Sequence, residues 1–150
     1  MRARLDTEMK NALRARDKQR TGTLRLILAA IKDRDIEARS GGSEGIGEQE
    51  ILSLLQKMVK QREESARVYA EAGRDELAEQ ERAEIAIIEE FLPQPMDEAA
   101  VTEAIKAAIA ETGAESLRDM GKVVAVLKGR FPGQIDFGKA ALTVKKLLGG

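Results

Sequence analysis

Few side chains in this 150-residue chain could carry out chemistry, because it contains neither histidine nor cysteine. The usual base near neutral pH and the usual thiolate nucleophile are therefore absent, and carboxylates, lysines, hydroxyls and Tyr69 remain. The serines are Ser40, Ser43, Ser53, Ser65 and Ser116. None lies in a Gly-x-Ser-x-Gly elbow, and no strand pattern precedes one. Ser40-Gly41-Gly42-Ser43-Glu44-Gly45 looks superficially like a phosphate-cradling or amidase glycine loop. It lacks the Gly-Lys-Ser/Thr ending, so it reads as a flexible linker. Carboxylates cluster at Glu63-Glu64, at Glu79, Glu81 and Glu84, and at Glu89-Glu90. Adjacent residues on a helix diverge by about 100°, so these groups do not converge into an oxygen cage. No catalytic residue, metal or cofactor is expected.

Two constellations suit binding instead. The first is the run Lys60-Gln-Arg-Glu-Glu-Ser-Ala-Arg67, in which Arg62 and Ser65 fall on the apolar stripe of a helix. Glu81 and Glu84 of the next helix stand at matching depth. That pattern reads as a charged pair fixing the register of a hairpin, or as a partner groove lined by Arg62, Tyr69 and Glu84. The second is the C-terminal segment. Lys122, Lys128, Arg130, Lys139, Lys145 and Lys146 are opposed there by Asp136 alone. Gly121 and Lys122 fall in the first turn of a helix, where free amides and the helix dipole favour an anion. The Gly129–Gln134 stretch reads as a loop exposing Arg130 and Phe131. Such a surface suits a phosphate backbone read by shape rather than by base sequence.

The elements that must position these residues are helices. Leu5, Met9, Ala12, Leu13 and Arg16 recur at helical spacing over about 15 residues. Leu24, Ile27, Leu28, Ile31 and Ile36 make a second helix, with Thr21 as its N-cap. After the glycine segment Ser40–Gly47, a long helix runs from about Glu48 to Ala72, and Gly73 stops it. Asp75 opens the next, carrying Leu77, Ile85, Ile88, Phe91 and Leu92 inside, and the short turn between the two implies an antiparallel hairpin. Pro93-Gln-Pro-Met-Asp97 forbids continued helix and marks a boundary. Asp97, the Ser116/Asp119 pair and Asp136 then cap three further helices. Gly113 ends the first of these and Gly129–Gly133 the second; the last buries Ala140, Ala141, Val144, Leu147 and Leu148. The fold class is all-α: a four-helix N-terminal domain over 1–93, a linker at 93–96 and a three-helix domain over 97–150.

Charge and composition limit the setting. The net charge is −1, yet residues 1–39 hold eleven Lys/Arg against six Asp/Glu. Residues 40–96 reverse this with six against thirteen, and 116–150 return to seven against two. No window approaches the roughly 18 apolar residues of a membrane span. The absence of cysteine suits a reducing compartment, and the N-terminus has no apolar signal region, so a cytoplasmic address is expected.

The order Lys60-Gln-Arg-Glu-Glu-Ser65, Tyr69-Ala-Glu-Ala-Gly-Arg-Asp75, Leu77-Ala78, Glu81 and Ile85 to Leu92-Pro93 resembles the YqeY family. Leu24–Lys32 and Gly121-Lys-Val-Val through Leu148 extend the resemblance to nearly the whole chain. The YqeY family is similar to the helical C-terminal region of the GatB subunit of glutamine-dependent tRNA amidotransferase. That resemblance implies a helical domain followed by a tRNA-recognising tail matching Gly121–Leu127, the Gly129–Gln134 segment and the helix to Leu148. It carries over no catalytic domain. The expectation is a tRNA-binding accessory protein whose partners are tRNA and an amidotransferase or aminoacyl-tRNA synthetase. The alternatives are a component of a carbon–nitrogen ligase with glutamine as amido-N-donor, and a protein-interaction module built on the 48–92 hairpin.

Overall fold

A computed structural model of the protein describes residues 1–149. These residues form helices α1 (Arg2–Arg14), α2 (Lys18–Ser40), α3 (Glu48–Glu71), α4 (Asp75–Glu89), α5 (Glu98–Thr112), α6 (Met120–Arg130) and α7 (Phe137–Gly149). A 3-10 turn, Leu117–Asp119, leads into α6, and no strand occurs among the described residues. The chain divides into two units, Met1–Leu92 and Pro93 onward, each with its own apolar core.

In the first unit α3 and α4 pack along their length as an antiparallel hairpin, with α2 against both and α1 against α2. Leu5, Leu24, Leu55, Ile88 and Phe91 are almost fully buried between them. Burying such a side chain contributes about 2 kcal/mol. The hairpin turn depends on Gly73, whose φ of 74° is open to glycine without strain. There the amide of Arg74 reaches back to the carbonyl of Tyr69 and that of Gly73 to Ala70, satisfying the last carbonyls of α3.

The start of the chain departs from expectation in three ways. The first helix ends at Arg14, and Arg16 lies beyond it with φ 55°, a left-handed conformation costing about 1 kcal/mol for a residue with a side chain. The amides of Arg16 and Asp17 bond Leu13 and Ala12, closing the helix in the same way as Gly73 closes α3. Leu13 is 51% exposed, and Ala12 takes its inward place. Second, α2 starts a turn early: Asp17, not Thr21, is its N-cap, accepting the Arg20 amide at 3.0 Å. An aspartate caps better than a threonine, and Thr21 is buried inside the helix instead. Third, Ile36 is half exposed and Asp35 is buried. Four residues on from Ile31, position 35 continues the inward stripe, and position 36 has rotated off it.

In the second unit α5, α6 and α7 enclose Ile105, Val123, Leu127, Ile135 and Val144. The caps are as expected. Asp97 accepts the Ala100 amide at 2.7 Å, and Asp136 accepts those of Gly138 and Lys139. Ser116 and Asp119 form a reciprocal capping box. Gly113 ends α5 with φ 67°. The break after α6 falls later than expected. Gly129 and Arg130 are helical, and the chain turns at Phe131–Gln134, where the proline and Gly133 stand. Leu77 and Leu147, expected inside, are 36% and 44% exposed; Ala78 is buried in place of Leu77, and Val144, expected inside, is buried.

Candidate nucleic-acid interface

Helices α6 and α7 hold six of the eight cations of the C-terminal unit, Lys106 lying in α5 and Arg118 in the 3-10 turn. Val123 and Leu127 fix the inner face of α6, and Lys122 and Lys128 lie exposed away from it. The Lys122 side chain is 72% exposed, with its Nζ 3.9 Å from a carboxylate oxygen of Asp119. Lys128 sets its ammonium 5.8 Å from the Phe137 ring centre, a distance at which the ring's negative face attracts a cation. Ala140 and Val144 are the buried residues of α7. Lys139, Lys145 and Lys146 therefore share its outer side with Leu142, which is 65% exposed.

Two of the expected features differ. Arg130 is not on a loop; it sits in the last turn of α6 and donates to Glu111 of α5 at 2.5 Å. Phe131 is only partly exposed and packs against the unit's core. The amides at the start of the α6 segment are also engaged. The Asp119 carboxylate accepts those of Glu115 and Ser116, and these bonds hold its pKa below the usual carboxylate range. The Met120 amide bonds Leu117 through the 3-10 turn. Gly121 is exposed and open, with no neighbour within 4 Å of where a Cβ would stand.

In the hairpin, Arg62 and Glu84 bond each other: Nε donates to Oε2 at 2.9 Å, and the guanidinium also reaches the Met58 carbonyl at 3.2 Å. Both side chains are mostly buried, at 15% and 19% exposure. Burial and the neighbouring Glu84 charge push the Glu81 carboxyl up, while Arg62 opposes them. Tyr69, two turns beyond Arg62 on the same face, is partly exposed. The charged pair is an internal clasp, so the groove keeps Tyr69 but not two free charges.

Sequence reasoning missed a second clasp. Arg2 grips Asp35 with both terminal nitrogens, at 2.8 and 2.9 Å, and donates to the Ile46 carbonyl at 2.8 Å. Asp35 also accepts the Ile46 amide at 2.9 Å. Bonded first by Arg2 and then by that amide, the Asp35 carboxyl is held down to about 2. The glycine segment is therefore anchored to two helices rather than being a free linker. A Cβ on Gly45 would fall 2.8 Å from an Asp35 oxygen, which explains a glycine there. Arg20 similarly joins Glu8 at 2.9 Å and Glu90 at 2.6 Å, and Arg4 lies 4.7 Å over the Phe91 ring. The signal for Asp35 was its place on the α2 stripe.

Taken together, the fold and these surfaces define a two-unit helical protein whose buried charges serve structure and whose tail exposes lysines. Among the described residues no cluster of carboxylates could hold a metal ion. The chain matches the model of a family described as Yqey-like protein over residues 2–148, and it belongs to the YqeY family. Its relatives include proteins named altered inheritance of mitochondria protein 41, mitochondrial. One from Clavispora lusitaniae is 39% identical over 63% of this chain and 54% of its own length. One from Pyrenophora tritici-repentis is 30% identical over 85% and 71% respectively. One from Lachancea thermotolerans is 33% identical over 61% and 48%. The chain spans about half the length of the Clavispora and Lachancea proteins it matches. The mitochondrial address in those names belongs to those proteins. No described helix of this chain is long and apolar enough to cross a membrane.

Proposed function

We propose that the chain is a tRNA-binding accessory protein that brings no catalytic set of its own. The observation behind this reading is the outward lysine surface of α6 and α7, formed by Lys122, Lys128, Lys139, Lys145 and Lys146. Lysine ammoniums are compact, strongly hydrated charges that suit sequence-independent phosphate contacts. The family's similarity to the tail region of an amidotransferase subunit supports RNA as the polyanion and tRNA-handling enzymes as partners. The cysteine-free composition supports a cytoplasmic place of work.

The test is retention of a tRNA transcript by the full chain at increasing salt. Affinity should fall linearly on a double-logarithmic plot, and Lys122→Glu, Lys128→Glu and Lys139→Glu together should lower it about 100-fold or more. Salt-insensitive binding, or an unaltered affinity in the triple variant, refutes the reading. Participation in carbon–nitrogen ligation would then require a partner to supply the catalytic domain. Glutamine-dependent amidation of a misacylated tRNA by the purified chain alone would overturn the accessory role.

A further inference from the structure

Helix α2 carries a row of cations that neither the internal clasps nor the tail surface uses. Lys18, Arg25 and Lys32 are spaced by seven residues and all three are exposed; Arg39, seven further on, is exposed too but spends its Nε on the Glu44 carbonyl at 3.2 Å. Seven residues return a helix to within about 20° of the same direction, so Lys18, Arg25 and Lys32 form one gently winding line about 21 Å long. The inward stripe, Leu24, Ile27 and Ile31, lies to one side of that line. The acids of α2 stand elsewhere: Asp35 is buried in its clasp, and Asp33 and Glu37 lie further round the outer face. Between the cations the surface is formed by Gly22, Ala29 and Ile36, the first two too small to stand in the way of a backbone.

We infer that this line is a second RNA contact, on the N-terminal unit, following the sugar–phosphate backbone of a bound RNA; the inference rests on the RNA reading of the tail. A row of like charges about 10 Å apart is complementary to an extended polyanion, not to a compact ion. A protein partner would be expected to find aromatic anchors, and the line has none. A membrane surface would need a continuous apolar face beside the charges; Leu24, Ile27 and Ile31 are buried in the core, and the exposed Leu26 and Ile36 stand singly. Shape and backbone contacts are how structured RNA is recognised without base readout.

The test compares full-length variants on a tRNA transcript by fluorescence anisotropy over a range of salt. Lys18→Gln, Arg25→Gln and Lys32→Gln together should lower the magnitude of the log–log salt slope by about 2–3, since every phosphate no longer neutralised removes roughly 0.7–0.9. A control with the same charge change off the line (Lys10→Gln, Arg34→Gln and Lys57→Gln) should leave the slope near wild type. An equal effect in both triples would overturn the inference, because bulk charge alone would explain it. A wild-type slope in the α2 triple alongside abolished binding in the tail triple would overturn the inference and leave the tail reading standing. Abolished binding in the α2 triple with an intact tail triple would support the α2 line and refute the tail. Unchanged RNA binding with abolished binding to anionic vesicles or polyglutamate would assign the line to a different partner and overturn the proposal. Circular dichroism checks that each variant keeps its helix content.

Discussion

In the N-terminal unit Arg2, Arg20 and Arg62 each hold a carboxylate of another helix at 2.6–2.9 Å, whereas in the C-terminal unit Lys122 stands 3.9 Å from Asp119 and 72% exposed. The residue types follow the use. A planar guanidinium can bond two acceptors in fixed directions, as Arg2 and Arg20 do, and so fixes how helices meet. A lysine at the surface gains little from one nearby carboxylate and stays available to a mobile partner. Arg130, bonded to Glu111, is the tail cation that behaves like those of the first unit. Arginine thus makes the bonds between helices in both units, while lysine makes up the outward surface of the tail, and α2 carries clasped and exposed cations together.

Three variants test that division. The largest effect on stability falls on Arg62→Ala, which strands Glu81 and Glu84 together and should cost about 2 kcal/mol in urea unfolding, with RNA affinity unchanged. The cost should depend on pH. The Glu81 pKa is already raised in the fold and loses the Arg62 charge that opposes the rise. Its penalty is absent below the ordinary carboxylate value and appears as pH rises through the folded value, so the loss should be greater at pH 7 than at pH 4. A pH-independent cost would mean that the clasp does not govern Glu81.

Asp35→Asn comes next. Asp35 is depressed to about 2, so its contribution is present above the ordinary 3.8 and is lost as pH falls towards 2. The variant should be less stable at neutral pH and show a shallower acid limb between pH 4 and 2. Glu64 and Asp119, also lowered, should account for acid sensitivity that persists. Amide exchange at Ile46 should quicken as the glycine segment comes loose; unaltered protection there would show that the segment is held by something else.

The smallest effect on stability is expected from Lys145→Gln with Lys146→Gln. Unfolding should shift by less than about 0.5 kcal/mol. The salt slope for RNA should nevertheless fall by about 1.4–1.8 if both residues meet phosphates. A stability loss without a slope change would place these lysines with the building cations and erase the contrast between the units.

Most helix ends were legible because they depend on a few neighbouring residues: Gly73 and Gly113 as stops, Asp97, Asp136 and the Ser116/Asp119 box as starts. Asp35 was not, since its charge argues against burial, and only the meeting of Arg2 with the Ile46 amide makes burial tolerable. The bonds of Arg20 to Glu90 and of Arg130 to Glu111 link residues that no local pattern relates. Exposure of the tail lysines followed from their place opposite Val123, Leu127 and Val144. The line on α2 is present in the sequence as a seven-residue period, but acids at Asp33, Asp35 and Glu37 interleave with it and hide it until the helix is wound.

The hairpin of α3 and α4 also bears on how the chain acquires its fold. Its partners are joined by only Ala72, Gly73 and Arg74, so its side-chain meetings can form by zipping outward from the turn. Contacts of such short sequence separation favour folding in microseconds to milliseconds, well within the time a ribosome needs to add one residue. The acidic hairpin can therefore be complete before the basic tail is synthesised, which keeps the two oppositely charged segments from collapsing on each other while unfolded.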